Sequence, residues 1–388
     1  GAGIWEQCAQ WQGLISFPEQ MYDQSIGLFR NTHNYAFTHE WHRYQSYWFL
    51  YYLAQYYNDL TIVSQVWKHK MSKKAPDFNE TLMNLKQLSS DELYKMYFDY
   101  ACRLVTWDLD ACKPYRDAFI GDFNYRCSAI GNKEYQVALA SCPQSTGFNV
   151  IPLQVPAAGT KVTTKFTAPQ MRAGAIKLAD ADPGEYFNGD KFVTYDKRTY
   201  ANNSNGLYRG FRIGYVVLLK DGARQYINDD EIHCVKNTQK TEEISMTVPE
   251  NTDKMWLVVS PAPSKYLSHL WDEKISINDD MWPYSFKLEG TDIGSKAIVY
   301  MAPTIDGRAI EDAKLTYDVY FPAQNSYAGT SVSVGGKANA MIGTAFQLQG
   351  NELTGKIVNH SATGPKDGQI MFYAENRGGS LVKQNPTA

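Results

Sequence analysis

What this 388-residue chain has little of narrows its function before any motif is read. Its six cysteines (Cys8, Cys102, Cys112, Cys127, Cys142 and Cys234) are scattered and show no Cys-x-x-Cys spacing, which excludes a disulfide framework and a thiolate metal cage. The spacing leaves room for one or two bridges, Cys127 with Cys142 foremost, while Cys8 and Cys102 fall inside helical patterns where a buried thiol is the ordinary outcome. Basic charge is not in excess: 38 lysines and arginines stand against 41 acidic residues, the net charge is -3, and no basic cluster marks a phosphate-tracking face. Nucleic acid is excluded as a partner. Long apolar runs are missing too. The longest, near Tyr47 to Leu53, is bounded by Gln45 and Gln55 and falls far short of the roughly 20 residues a membrane span requires. There is no initiator Met, no basic segment leading into an apolar one and no lipidation site, so a mature or clipped product is expected, with its targeting segment upstream.

What is abundant is aromatic: 27 tyrosines, 9 tryptophans and 17 phenylalanines with modest charge, a composition common among secreted bacterial proteins. An extracellular, cell-surface or periplasmic location is expected. At this length two or three domains are the default. Ile4, Trp5, Cys8, Trp11 and Ile15 recur at helical spacing until Phe17-Pro18. A second helix is predicted after Thr38 as N-cap, carrying Tyr44, Tyr47, Trp48, Tyr51 and Tyr52. A third is predicted from Ser89 or Ser90 to Trp107, with Asp91-Glu92 as favourable first-turn charges. From Phe148 the period changes to two. Residues 149–155, 160–167, 211–219, 244–248 and 255–259 read as short strands of an antiparallel sandwich, with 179–207 as an inserted loop. Alternation returns at Lys314–Phe321, Thr330–Val334, Ala345–Gln349 and Gln369–Ala374. The expected fold is therefore α+β and multidomain: a helical region over 1–125, a β-sandwich over 145–265 and a C-terminal β domain over 284–388, possible incompleteness at its end included.

Trp5-Glu6 with Ala9 and Trp11 has the form of a helix that supplies a glutamate to a catalytic zinc, which takes three protein ligands and an open position for water. This segment resembles the third-ligand helix of collagenase-like gluzincin peptidases. It is particularly similar to a family of secreted bacterial proteins of unassigned function that join such a region to β-sandwich domains. The resemblance runs through Arg43-Tyr44 to Leu53 and Trp67, Tyr100-Ala-Cys-Arg103 to Trp107-Asp108, Val216–Leu219 and Trp256–Val259. It implies a partial peptidase-like domain and, in the intact protein, a zinc-dependent peptidase acting on peptides or glycoproteins, with Glu6 as a ligand. The chain departs from the pattern in having no His-Glu-x-x-His, so both histidine ligands and the general base would come from upstream, and these residues alone would be inactive.

Other motifs carry alternatives. His39 and His42 are three apart rather than four, and reach one metal only if His33 or Glu6 converges on them; the bland reading is first-turn polar residues. Gln7-Cys8 admits a thiolate nucleophile beside His33, His39 or His42, against the commoner role of a structural thiol. Asp180-Ala-Asp182-Pro-Gly184-Glu185 has oxygen ligands of a kind calcium accepts, but lacks most of a calcium loop. Tyr186, Tyr195, Tyr200 and Tyr208 are the candidate stacking platform for sugar rings, and equally tyrosines that fasten a long loop. The second functional expectation is accordingly a non-catalytic glycan-binding or adhesion protein.

Overall fold

Two of the helices are started by the same local device. Asp77 accepts from the Glu80 backbone N–H while the Glu80 carboxylate accepts from that of Asp77, and Ser89 with Glu92 repeats the exchange, so both helices open with a reciprocal capping box. The computed structural model describes residues 3–18, 24–39, 42–68, 77–114, 116–138, 141–169, 185–188, 191–194, 208–266 and 282–300, with the backbone of short strands between 304 and 384. Its helices are α1 (Gly3–Ser16), α2 (Gln24–Thr32), α3 (Trp48–Tyr56), α4 (Ile62–Lys68), α5 (Phe78–Lys86) and α6 (Ser90–Leu104). The strands that follow are β1 (Arg126–Gly131), β2 (Glu134–Val137), β3 (Asn149–Leu153), β4 (Lys161–Ala168), β5 (Glu185–Asn188), β6 (Lys191–Thr194), β7 (Phe211–Leu219), β8 (Arg224–Asn228), β9 (Lys240–Thr247), β10 (Thr252–Pro261), β11 (Ser285–Glu289) and β12 (Ile298–Tyr300). The mixture of helices with largely antiparallel sheets is the α+β class that the change of period predicts.

Three layers stack on one another. A four-stranded sheet in the order β3-β10-β7-β8 is covered on one face by the helices and on the other by a six-stranded sheet in the order β12-β1-β2-β11-β4-β9. Along β10 the side chains alternate accordingly. Trp256 and Val258 enter the core shared with the helices, whereas Met255, Leu257 and Val259 enter the core between the sheets. A strand buried on both faces must read as a continuous apolar run, which is what Met255–Val259 is. All pairings in the larger sheet are antiparallel except β1 with β12. β11 lies between β2 and β4, so residues 285–289 belong to this sheet. Tyr215 ties the sheets together by donating its hydroxyl to Thr164 Oγ1 at 2.7 Å. Further along, Lys314–Thr316, Glu352–Asn359, Ile342–Gln349, Ile370–Tyr373 and Lys383–Gln384 form a separate five-stranded sheet.

The aromatic helix starts later than its sequence suggests. The described residues at 36–39 and 42–46 form turns, and α3 begins at Trp48. Side chains from elsewhere satisfy this backbone. Gln144 Oε1 accepts from Ala36 N at 2.7 Å, Thr146 Oγ1 accepts from Phe37 N at 2.9 Å, and the Gln7 amide donates to Phe37 O at 2.9 Å. Gly147 permits the approach: a Cβ there would lie 2.2 Å from Asn34 O. The segment 179–207 also differs from a plain loop, since β5 and β6 within it pair as an antiparallel hairpin. All six cysteines are buried thiols, and no bridge joins Cys127 to Cys142.

Candidate functional site

The residues singled out for zinc do not converge. Glu6 sits half-buried in the first turn of α1, but the α1 side chain that reaches the histidine segment is its neighbour Gln7, whose amide nitrogen lies within hydrogen-bond reach of Phe37 O, His42 O and Ser46 Oγ. His39 is buried and stacks on Tyr35, with ring centroids 4.6 Å apart. His42 is buried and donates from Nε2 to Thr32 O at 2.5 Å, while His33 donates from Nδ1 to Arg30 O at 3.0 Å. A carbonyl only accepts, so the hydrogen-bonded nitrogen carries the proton in each ring. Burial pushes His33 and His42 down to about 3, with the charge of Arg126 opposing protonation of the first and that of His39 the second. Among the described residues no three His, Cys, Asp or Glu side chains are grouped to hold an ion. Among the described residues, Glu6, His39 and His42 are not gathered into one group of ligands. His39 and His42 lie in the turned segments 36–39 and 42–46 ahead of α3, where the His39 ring stacks on Tyr35 and the His42 ring bonds a backbone carbonyl.

The remaining predicted residues are dispersed. Cys8 is buried in the helical core. Tyr208 is half-buried with Lys265 Nζ 5.7 Å from its ring centroid, and Tyr186 lies on β5. Tyr195, Tyr200 and Asp180–Gly184 lie outside the described residues.

A different constellation forms where α3, α6, the turn after α6 and β8 meet. Arg103 on α6 is its centre. Its guanidinium carbon stands 3.9 Å from the centroid of the Tyr56 ring and 5.0 Å from that of Tyr226, so it lies over both aromatic faces. Its nitrogens donate to Asp99 Oδ2 at 2.9 Å and to Asp108 Oδ2 at 3.2 Å. Each carboxylate is further engaged: Tyr52 donates to Asp99 at 2.7 Å, Tyr226 donates to Asp108 at 2.8 Å, and Tyr56 donates to the Asp108 carbonyl at 2.6 Å. Arg224 of β8 adds a second cation, anchored on Thr106 Oγ1 at 2.8 Å and 4.0 Å from Asp108 Oδ1.

Water still reaches these groups. The side chains of Asp99, Asp108 and Arg103 are 40, 28 and 22% exposed, and Tyr57, T-shaped against Tyr52 at 5.8 Å, is 45% exposed. Burial and then the nearby Asp108 raise the Tyr56 hydroxyl to about 12, and burial followed by a carboxylate also raises Tyr52 and Tyr226. These hydroxyls thus stay protonated and serve as hydrogen-bond donors, not bases. The arrangement offers an aromatic face, acceptor oxygens and guanidinium donors within one patch.

The sequence signal for this patch was slight. Asp99 and Arg103 sit at i, i+4 on α6, a common surface pair. Nothing in the order of residues announces Tyr226, which lies 118 positions from Asp108. Beside the patch, Tyr57 also lines a cavity of about 210 Å³ together with Leu53, Asp59, Ile62, Leu82, Lys86, Leu88 and Met96.

Residues 1–295 match the model of a family described as of unknown function, DUF6055. No curated protein and no solved structure matches the chain.

Proposed function

We propose, from the premise that this chain belongs to the DUF6055 family of unknown function, that it is a non-catalytic glycan-binding protein whose recognition surface is the tyrosine, arginine and carboxylate patch around Arg103. The observation that carries this reading is the bracing of one guanidinium by two tyrosine rings and two carboxylates that still face solvent. Sugar rings present CH groups on their faces and hydroxyls at their edges. An exposed aromatic ring such as Tyr57 suits the first, and rigidly held aspartate oxygens and arginine N–H groups suit the second. Because Arg103 and both aspartates are fixed by their mutual bonds, little side-chain entropy is left to lose on binding.

A location outside the cell or at its surface accords with such a ligand and with the aromatic composition. The zinc-peptidase alternative would place its histidines and general base outside this sequence.

The test is a glycan array probed with the full chain, followed by titration calorimetry of the best ligand against Tyr57→Ala and Tyr226→Phe. We expect saturable binding to at least one glycan class and at least a tenfold loss in each variant, with unchanged circular dichroism. Absence of any array signal, or a signal indifferent to both substitutions, would refute the reading.

A further inference from the structure

The cavity beside Tyr57 is the second feature with the chemistry of a binding site. It lies among α3, α4, α5 and α6, is lined by Leu53, Ile62, Leu82, Leu88 and Met96, and has a volume of about 210 Å³. Apolar cavities of roughly 150 Å³ in protein interiors stay dry and take up a benzene-sized molecule, so this one has room for a single ring or a chain of about six carbons. Exposed apolar side chains belong to the same stretch of chain. Tyr57 is half-exposed, and Leu60, between the lining residues Asp59 and Ile62, is 68% exposed.

The polar groups at the wall decide what the guest carries. Lys86 donates to Asp59 Oδ2, and Asp59 Oδ1 accepts from Thr61 N at 3.0 Å and Thr61 Oγ1 at 2.8 Å. An ammonium has three N–H donors and a carboxylate about four acceptor positions, so Lys86 keeps about two donors and Asp59 about one acceptor position for a guest. Together they present a donor beside an acceptor with no net charge. A guest carboxylate would meet Asp59, and a guest ammonium would meet Lys86. An uncharged group that both donates and accepts meets neither penalty.

We infer that this cavity is a binding site for a small uncharged amphipathic molecule, one ring or a short chain bearing a hydroxyl or amide, with its apolar body among Leu53, Leu82, Leu88 and Met96 and its polar end on the Lys86–Asp59 pair. The inference rests on the cavity alone and is independent of the glycan reading.

The probe is benzyl alcohol, titrated into the full chain and followed by amide chemical shifts, with benzoate and benzylamine as charged counterparts of the same ring. Saturable shifts at the lining residues are expected for benzyl alcohol, with each charged analogue at least tenfold weaker. Leu88→Trp, which places a larger side chain at the cavity wall, should weaken benzyl alcohol at least tenfold. Lys86→Met leaves Asp59 as the sole charge at the wall and should reverse the preference, so that benzylamine binds at least tenfold better than benzyl alcohol. No saturable binding of benzyl alcohol, benzoate binding as tightly, or a preference unmoved by Lys86→Met would each overturn the inference. Should Leu88→Trp fail to fold, the selectivity reversal in Lys86→Met decides it.

Discussion

Acidification should destabilise this protein through two histidines that have no part in recognition. His33 and His42 are fully buried, and burial lowers both from 6.5 to about 3. In the unfolded chain each titrates near 6.5. Above that pH neither state binds the proton, and the histidines leave stability unchanged. As pH falls below 6.5 the unfolded state takes up protons that the folded state refuses, and stability is lost until the folded value near 3 is reached. At pH 5 each histidine has lost about 2 kcal/mol, at 1.36 kcal/mol per pH unit, so the two together remove about 4 kcal/mol from a stability that for domains is about 5–15 kcal/mol. One buried group works the other way. Burial raises the Asp77 carboxyl to about 6, so its ionisation costs the folded state stability as pH climbs from 3.8 through 6, and acidification gives part of that back. A net loss is predicted between pH 7 and pH 5, measurable as a lower urea midpoint at unchanged slope. The double substitution His33→Asn/His42→Asn should lower stability at pH 7 yet flatten its dependence on pH. A urea midpoint equal at pH 7 and pH 5, or a pH dependence unaltered in the double variant, would refute the reasoning.

Other outcomes follow from single contacts. Ser89→Ala removes the acceptor of the α6 capping box and should cost about 1 kcal/mol in urea denaturation. Gly147→Ala drives a Cβ into Asn34 O, and a loss of about 3 kcal/mol is expected, seen as a marked fall in Tm. Elemental analysis of the purified chain after zinc loading and desalting should find less than stoichiometric zinc, and Glu6→Gln should leave stability within about 0.5 kcal/mol, as is usual away from cavities and buried polar networks.

The parts of the fold legible in the sequence were those whose causes are local. Helix α6 announced itself through Ser89 or Ser90 followed by the first-turn charges Asp91 and Glu92, and β7 and β10 did so through the apolar runs Tyr215–Leu219 and Met255–Val259 of strands covered on both faces. Strands β1, β2 and β11 carry no such signal. They become strands through partners far along the chain: Phe286 pairs with Tyr135 on one side and Phe166 on the other, and the change of unit expected at 284 falls one residue before this strand. The late start of α3 is a third kind of case. Its propensity for helix is overridden by Gln7, Gln144 and Thr146, which supply hydrogen bonds to the turned backbone at Ala36 and Phe37. The same hydrogen bonds leave His39 and His42 in turns ahead of α3, whereas their spacing was judged against a helix. The Arg103 patch was hidden for the reason most sites are. Asp99, Arg103 and Asp108 are neighbours in sequence, but their meaning comes from Tyr56 on α3 and Tyr226 on β8.

The measurement that tests the central claim most directly is amide shift mapping of the full chain as the best array glycan is titrated in. Binding at the patch predicts that the largest shifts fall on residues 52–57, 99–108 and 224–228, with those near 185–208 unmoved. Shifts centred on the 185–208 tyrosines, or no saturable shift with any glycan, would contradict it.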